Sequence, residues 1–151
     1  VSETVRSISH TLNPLAIEKY GFKNAIIDLF NNINLADRLQ IEYIIIGFED
    51  HKNLDINLIN DLYRIIKELV NNVIKHSEAS HCLIQVIEHE DIISIMVEDN
   101  GIGISDKNKM KNGIGIENIR AKINYFEGQI EFSDMPDGGL LINIEIPLKT
   151  Y

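Results

Sequence analysis

Residues 56 to 77 spell one long helix. Leu62, Ile65, Ile66, Leu69 and Val73 recur at spacings of three and four and fall in a single apolar stripe. A helix with one such stripe has one face to bury, and the β-branched runs around it supply a surface to bury it against. Ile41 to Phe48 has strand character, with the polar His51-Lys52-Asn53 behind it. Strands over roughly His81 to Glu88 and Ile92 to Glu98 are joined by the short His89-Glu90-Asp91 link of a hairpin. Lys23 to Ile33, after Gly21, is an amphipathic helix, and Gly115 to Phe126 is another, closed by Gly128. Gln129 to Ser133 and Leu140 to Leu148 form a last hairpin around Pro136-Asp137-Gly138-Gly139. The order helix, strand, helix, strand, strand, helix, strand, strand predicts an α/β two-layer sandwich, one mixed sheet with helices packed on one face.

The chain has 151 residues, the size of one ordinary domain, and its 44% hydrophobic and 25% charged content suits a globular protein. Fourteen basic against 23 acidic residues give a net charge of -9, which repels a phosphate backbone at long range and argues against a nucleic-acid partner. The single Cys82 falls in a strand, has no partner for an internal disulfide and suits a reducing, cytoplasmic compartment as a small buried hydrophobe. No apolar run approaches the ~18 residues of a membrane span, so no direct membrane contact is expected. The chain opens at Val1 without an initiator Met, as a fragment of something longer would, and upstream segments could carry a membrane anchor.

Three stretches carry candidate chemistry. On the long helix, Glu68, Asn72, Lys75 and His76 share an arc about 100° wide beside the apolar stripe. A carboxylate and a carboxamide there offer hard oxygen ligands for Mg²⁺, and a lysine and a histidine can meet phosphate oxygens; the same four residues also suit a solvated helix flank. Asp99-Asn100-Gly101-Ile102-Gly103 follows an apolar strand, so the glycines let the backbone turn and approach a ligand while Asp99 accepts from an exocyclic amine. Asn-Gly is equally a hairpin turn pair, but Ser105-Asp106-Lys107-Asn108-Lys109 behind it is no returning strand. Asn112-Gly113-Ile114-Gly115-Ile116 opens a helix, whose free amides can bind phosphate. It lacks the third glycine of the dinucleotide fingerprint, where Asn118 stands, and no Gly-Lys-Ser/Thr phosphate loop occurs in the chain.

In this order the three stretches resemble the asparagine box and the two glycine boxes of the GHKL ATPase superfamily, which includes histidine kinases, type II topoisomerases, heat-shock chaperone ATPases and mismatch-repair ATPases. The resemblance covers nearly the whole chain and implies the Bergerat fold, with ATP between the long helix and a lid. It implies that Glu68 is the catalytic residue, as base or as orienter of the attacking group, and Asn72 the Mg²⁺ ligand, with Glu68 a second possible ligand. It also implies that Lys75 and His76 follow as ATP contacts, that Asp99 reads adenine with Gly101, Ile102 and Gly103 beside it, that Gly113 and Gly115 bind ATP where the lid ends, and that the helix starting at Ile116 approaches the phosphates. Residues 104 to 112, with Lys107, Lys109 and Lys111, would be the lid.

The short lid, Lys75-His76-Ser77 and the run from Gly115 to Arg120 look most like the catalytic ATP-binding domain of sensor histidine kinases that pair with LuxR-type response regulators. Residues 1–20, with Val5, Ile8 and Leu12 at helical spacing before Asn13-Pro14 and then Glu18-Lys19-Tyr20, resemble the end of a dimerisation helix and its linker, leaving 21–151 as the catalytic domain. His10, followed by Thr11 and Leu12, lacks the acidic context of a phosphoacceptor, so a dimerisation domain outside this chain would supply the acceptor histidine. His51, His81 and His89 suit surface positions without metal-ligand spacing. One departure stands at Leu140, where the family usually places a threonine after its glycine. A conformational ATPase, an anti-sigma serine kinase and a degenerate nucleotide-binding scaffold share the same pocket and stay open at this level.

Overall fold

The computed structural model describes residues 17, 20–49, 54–103 and 114–149. The proposed tail helix with His10, the His51 loop, the lid at 104–112 and Gly113 lie outside the described residues. The elements are α1 (Phe22–Leu35), β1 (Gln40–Ile46), α2 (Ile56–His76), β2 (His81–Glu88), β3 (Ile92–Asp99), α3 (Ile114–Tyr125), β4 (Gln129–Asp134) and β5 (Leu140–Pro147). The expected element order holds throughout.

The strands form one five-stranded sheet in the order β1-β2-β3-β5-β4. β1 and β2 pair in parallel, which requires a crossover, and α2 supplies it. Every other pairing is antiparallel, including the two expected hairpins β2–β3 and β4–β5. Because side chains alternate across a strand, the register sets one face apolar. Ile84 pairs Val97, Val86 pairs Ile95, and Ile95, Val97 and Ile93 pair Ile144, Ile142 and Ile146, all of them buried. Onto that face α2 lays Leu62, Ile65, Ile66, Leu69 and Val73, joined by Phe22, Ile26 and Phe30 of α1 and Ile116, Ile119 and Ile123 of α3.

Local chemistry fixes the ends of α2. The Asp55 carboxylate accepts from the Asn57 amide at 2.9 Å, an N-cap. At the other end the helix stops at His76, one residue short of expectation: Glu78 turns the backbone out at φ 55°, while the Ser77 hydroxyl donates to the Val73 carbonyl at 2.6 Å and accepts from Ala79. β1 likewise stops at Ile46 rather than Phe48. Gly47 and Phe48 both take positive φ, the Phe48 amide donates to the Glu88 carboxylate at 2.9 Å, and the Phe48 ring packs 4.8 Å from Phe22. Past α3 it is Glu127, not the expected Gly128, that adopts the left-handed conformation. Gly128 is needed for a different reason, since a Cβ there would stand 2.6 Å from the Glu145 carbonyl of β5.

Candidate functional site

β3 ends on Asp99, the one polar side chain among the described residues buried as deeply as the core, at 5% exposure. Its Oδ1 accepts from the Gly101 amide at 2.8 Å, and the carboxylate also accepts from the amide of Leu140. Burial pushes the carboxyl above the usual carboxylate range, and the two amides pull it part of the way back. Cys82 is its partner across the β2–β3 ladder, and its thiol is pushed up to about 12, chiefly by burial and then by Asp99 and Glu98. Cys82 is therefore a neutral, buried thiol at neutral pH.

The loop after Asp99 is fastened at several points. The Ile102 amide donates to the Ser77 carbonyl at 2.8 Å, so the loop docks on the C-terminal cap of α2. At Gly101 any Cβ would collide with that same carbonyl. Gly139, at φ 101°, lies against the Asp99 carbonyl so closely that a Cβ would overlap it. A side chain at either place would push the loop off the helix or the strand. Gly103 turns at φ 71° beside Asp134 and Gly139, and the Ile102 side chain stands 57% exposed.

Glu68 and Asn72 sit half-buried on the flank of α2, one turn apart, with Lys75 and His76 exposed in its last turn. The first turn of α3 lies directly on this flank, because Gly115 has no Cβ to meet the Glu68 carboxylate. The Ile116 side chain is buried in the core, so a contact between this first turn and a ligand would fall to its backbone. The Asn72 Nδ2 is buried without a hydrogen-bond partner among the described residues. A buried polar atom left unpaired costs stability, and a ligand placed between α2 and α3 would supply its partner.

The fold thus brings Glu68, Asn72 and Gly115 together on one side, and Asp99, Gly101 and Gly103 together on the other, with Ser77 tying the second group to the helix that carries the first. Leu140 was the expected departure. Its side chain is buried and its backbone amide reaches Asp99, a contact that does not depend on the identity of the side chain. Gly139 and Ser77 were absent from the expected set, although the Gly138-Gly139 pair and the serine closing the helix stand in the sequence as signals.

The chain is thus an α/β domain with a buried acid at a strand end and, nearby, a polar helix flank lying under the first turn of a second helix. The profile described as histidine kinase-, DNA gyrase B- and HSP90-like ATPase matches residues 57–150, and the chain belongs to that family. The family gives ATP as the nucleotide. Over 150 residues the chain is 24% identical to the signal transduction histidine-protein kinase/phosphatase DegS of Brevibacillus brevis, covering 97% of this chain and 37% of that protein. Sensor protein VraS of Staphylococcus aureus strain COL is also 24% identical over 151 residues, covering 96% of this chain and 41% of VraS. The chain spans well under half the length of these relatives.

Among solved structures, the blue-light activated histidine kinase of Erythrobacter litoralis EL346 superposes with a TM-score of 0.68 at 18% identity, covering 97% of this chain and 50% of that one. Histidine kinase AdeS of Acinetobacter baumannii gives 0.64 at 17% identity, over 99% and 81%. These likenesses establish the expected sandwich. Among the described residues, no helix is long and apolar enough to cross a membrane.

Proposed function

We propose that this chain is the catalytic ATP-binding domain of a two-component sensor histidine kinase, working on the cytoplasmic side where ATP is available. The observation that carries the reading is the buried Asp99 carboxylate, held by the Gly101 and Leu140 amides and still able to accept from an exocyclic amine. Adenine presents such an amine. A carboxylate buried at a cost, with two amides fixing its direction, is pre-aimed at a donor.

From that anchor the phosphates would run along the Glu68 and Asn72 flank toward the start of α3. The Asn72 Oδ1 and the Glu68 carboxylate are the groups that would hold Mg²⁺, while the buried Asn72 Nδ2, a donor without a partner among the described residues, would suit a phosphate oxygen. When bound, the ion would neutralise charge on the phosphates. Lys75 and His76 would meet phosphate oxygens, and the amides of Gly115 and Ile116, with Gly113 ahead of them, would add helix-start donors.

The reaction moves the γ-phosphoryl group to an imidazole of a dimerisation domain. The imidazole lone pair forms a P–N bond, the bond from the γ-phosphorus to the bridging oxygen breaks, and ADP leaves with that electron pair. Glu68 accepts the hydrogen bond of the other imidazole N–H and orients the ring, so positioning and charge neutralisation carry the rate. Residues 1–20 are proposed as the end of the dimerisation helix and its linker, and 21–151 as the catalytic domain. A LuxR-type response regulator is the proposed final acceptor, on an aspartate. The sensor-kinase names of DegS and VraS support this reading.

Calorimetric titration with a non-hydrolysable ATP analogue tests it, with and without Mg²⁺. The chain should bind saturably. Asp99→Asn should weaken binding by about 10- to 100-fold, the scale of a hydrogen bond to a charged group. Absence of binding by the unmodified chain would defeat the kinase reading and leave a degenerate scaffold.

A further inference from the structure

Asn100 is exposed, yet both ends of its carboxamide are hydrogen-bonded. Its Oδ1 accepts from two consecutive amides, Ser80 and His81, each at 2.9 Å, while its Nδ2 donates to the Ser80 hydroxyl at 3.0 Å. Its own amide donates to the His81 carbonyl at 3.2 Å, one step beyond the last paired residues of β2 and β3. Ser80 is a junction in turn, because its carbonyl accepts from the Gln40 amide at the start of β1. A single carboxamide therefore ties the loop after β3 to the connection between α2 and β2.

That tie sets the direction of Asp99. The Asp99 carboxylate is aimed by the Gly101 amide, and the peptide between residues 99 and 101 has Asn100 at its centre. Next along, the Ile102 amide is held by Ser77. With the Asn100 side chain removed, three hydrogen bonds are lost and, among the described residues, the 3.2 Å bond from the Asn100 amide to the His81 carbonyl is the one tie left between the β3 ladder and Ile102, so the segment that includes the Gly101 amide gains freedom to rotate. A hydrogen bond aimed at an amine is lost through small errors in direction, since such bonds weaken steeply away from linearity.

We infer that Asn100 is a positioning residue for base recognition: it locks the Asp99-Gly101 segment against the Ser80-His81 connection so that Asp99 selects a base carrying an exocyclic amine. The inference rests on the proposed reading of Asp99 as the adenine contact. It assigns Asn100 no contact with the nucleotide. Because the side chain is exposed and fills no core space, its removal leaves no cavity.

The test compares ATP with inosine triphosphate, which has a carbonyl where adenine has its amine, by calorimetry on the chain and on Asn100→Ala. The unmodified chain should prefer ATP. In Asn100→Ala that preference should fall about tenfold, with inosine triphosphate affinity changed little, and the thermal midpoint reports that the variant is folded. Asn100→Asp keeps the oxygen that accepts from both amides and should retain the preference, which keeps the inference open to refutation should the alanine variant not fold. An unchanged ATP preference in Asn100→Ala, equal weakening of both nucleotides, or loss of the preference in Asn100→Asp would overturn it. Failure of the unmodified chain to bind either nucleotide would overturn the kinase reading and this inference with it.

Discussion

Asp99 holds its proton more tightly in the folded chain than an ordinary carboxyl does, because burial outweighs its two amide donors. A carboxyl raised in this way contributes stability that is fully present below its unfolded-state value and is lost as pH rises through the folded value. Asp99→Asn carries no such titration. The thermal midpoint of the variant minus that of the parent should therefore increase as pH is raised from about 4 to 7; a flat difference would show that burial does not dominate. Gly139 gives a second prediction at this scale. Its φ of 101° and its contact with the Asp99 carbonyl leave no room for a methyl group, so Gly139→Ala should cost about 1–3 kcal/mol in urea unfolding and weaken nucleotide binding. Both glycines of the 101 and 103 pair could be read from their spacing after a strand. The approach of Gly139 to Asp99 could not, because the two are brought together only when β5 pairs with β3.

At the scale of elements, α2 does two separable jobs. Leu69 is fully buried in the core, so Leu69→Ala should destabilise by about 3 kcal/mol. The Asp55 cap stands at the opposite end of the helix from Ser77, and Asp55→Ala should cost about 1 kcal/mol while leaving ATP affinity unchanged. A change in affinity equal to that of Asp99→Asn would show that the two ends of α2 are coupled. The helix and its polar flank were legible because both follow from a 3.6-residue period. Edge protection was not. Asn34 at the end of α1 accepts from the Ile41 amide at 2.7 Å and donates to the Ile41 carbonyl at 3.1 Å, closing part of the open edge of β1, and no local pattern marks that asparagine for the task.

For the molecule as a whole, ligand binding and folding are linked. Magnesium ATP at about 100 times its dissociation constant should raise stability by about 2.7 kcal/mol, since only the folded chain binds it. For a chain of this size the thermal midpoint should climb by roughly 5–10 °C. In Asp99→Asn at the same ligand concentration about half of that shift or more should vanish, as a 10- to 100-fold weaker affinity requires. A shift retained in the variant would move the nucleotide away from Asp99. The net charge of -9 does not oppose this, because in the proposed pose the phosphates would meet a local set of amides and basic side chains rather than the mean field of the surface.

Helix and strand identities were set by the sequence alone, because hydrophobic period and turn residues act over a few positions. The same local reach explains why Glu68 with Asn72, and Asp99 with its glycines, stood out as groups. Tertiary structure decided the rest: the strand order that places β5 beside β3, the burial that raises Asp99, and the hold of Asn100 on Ser80 and His81 from twenty residues away. Each of these depends on which distant segments share a ladder, and a pattern with a range of four residues carries no information about that choice.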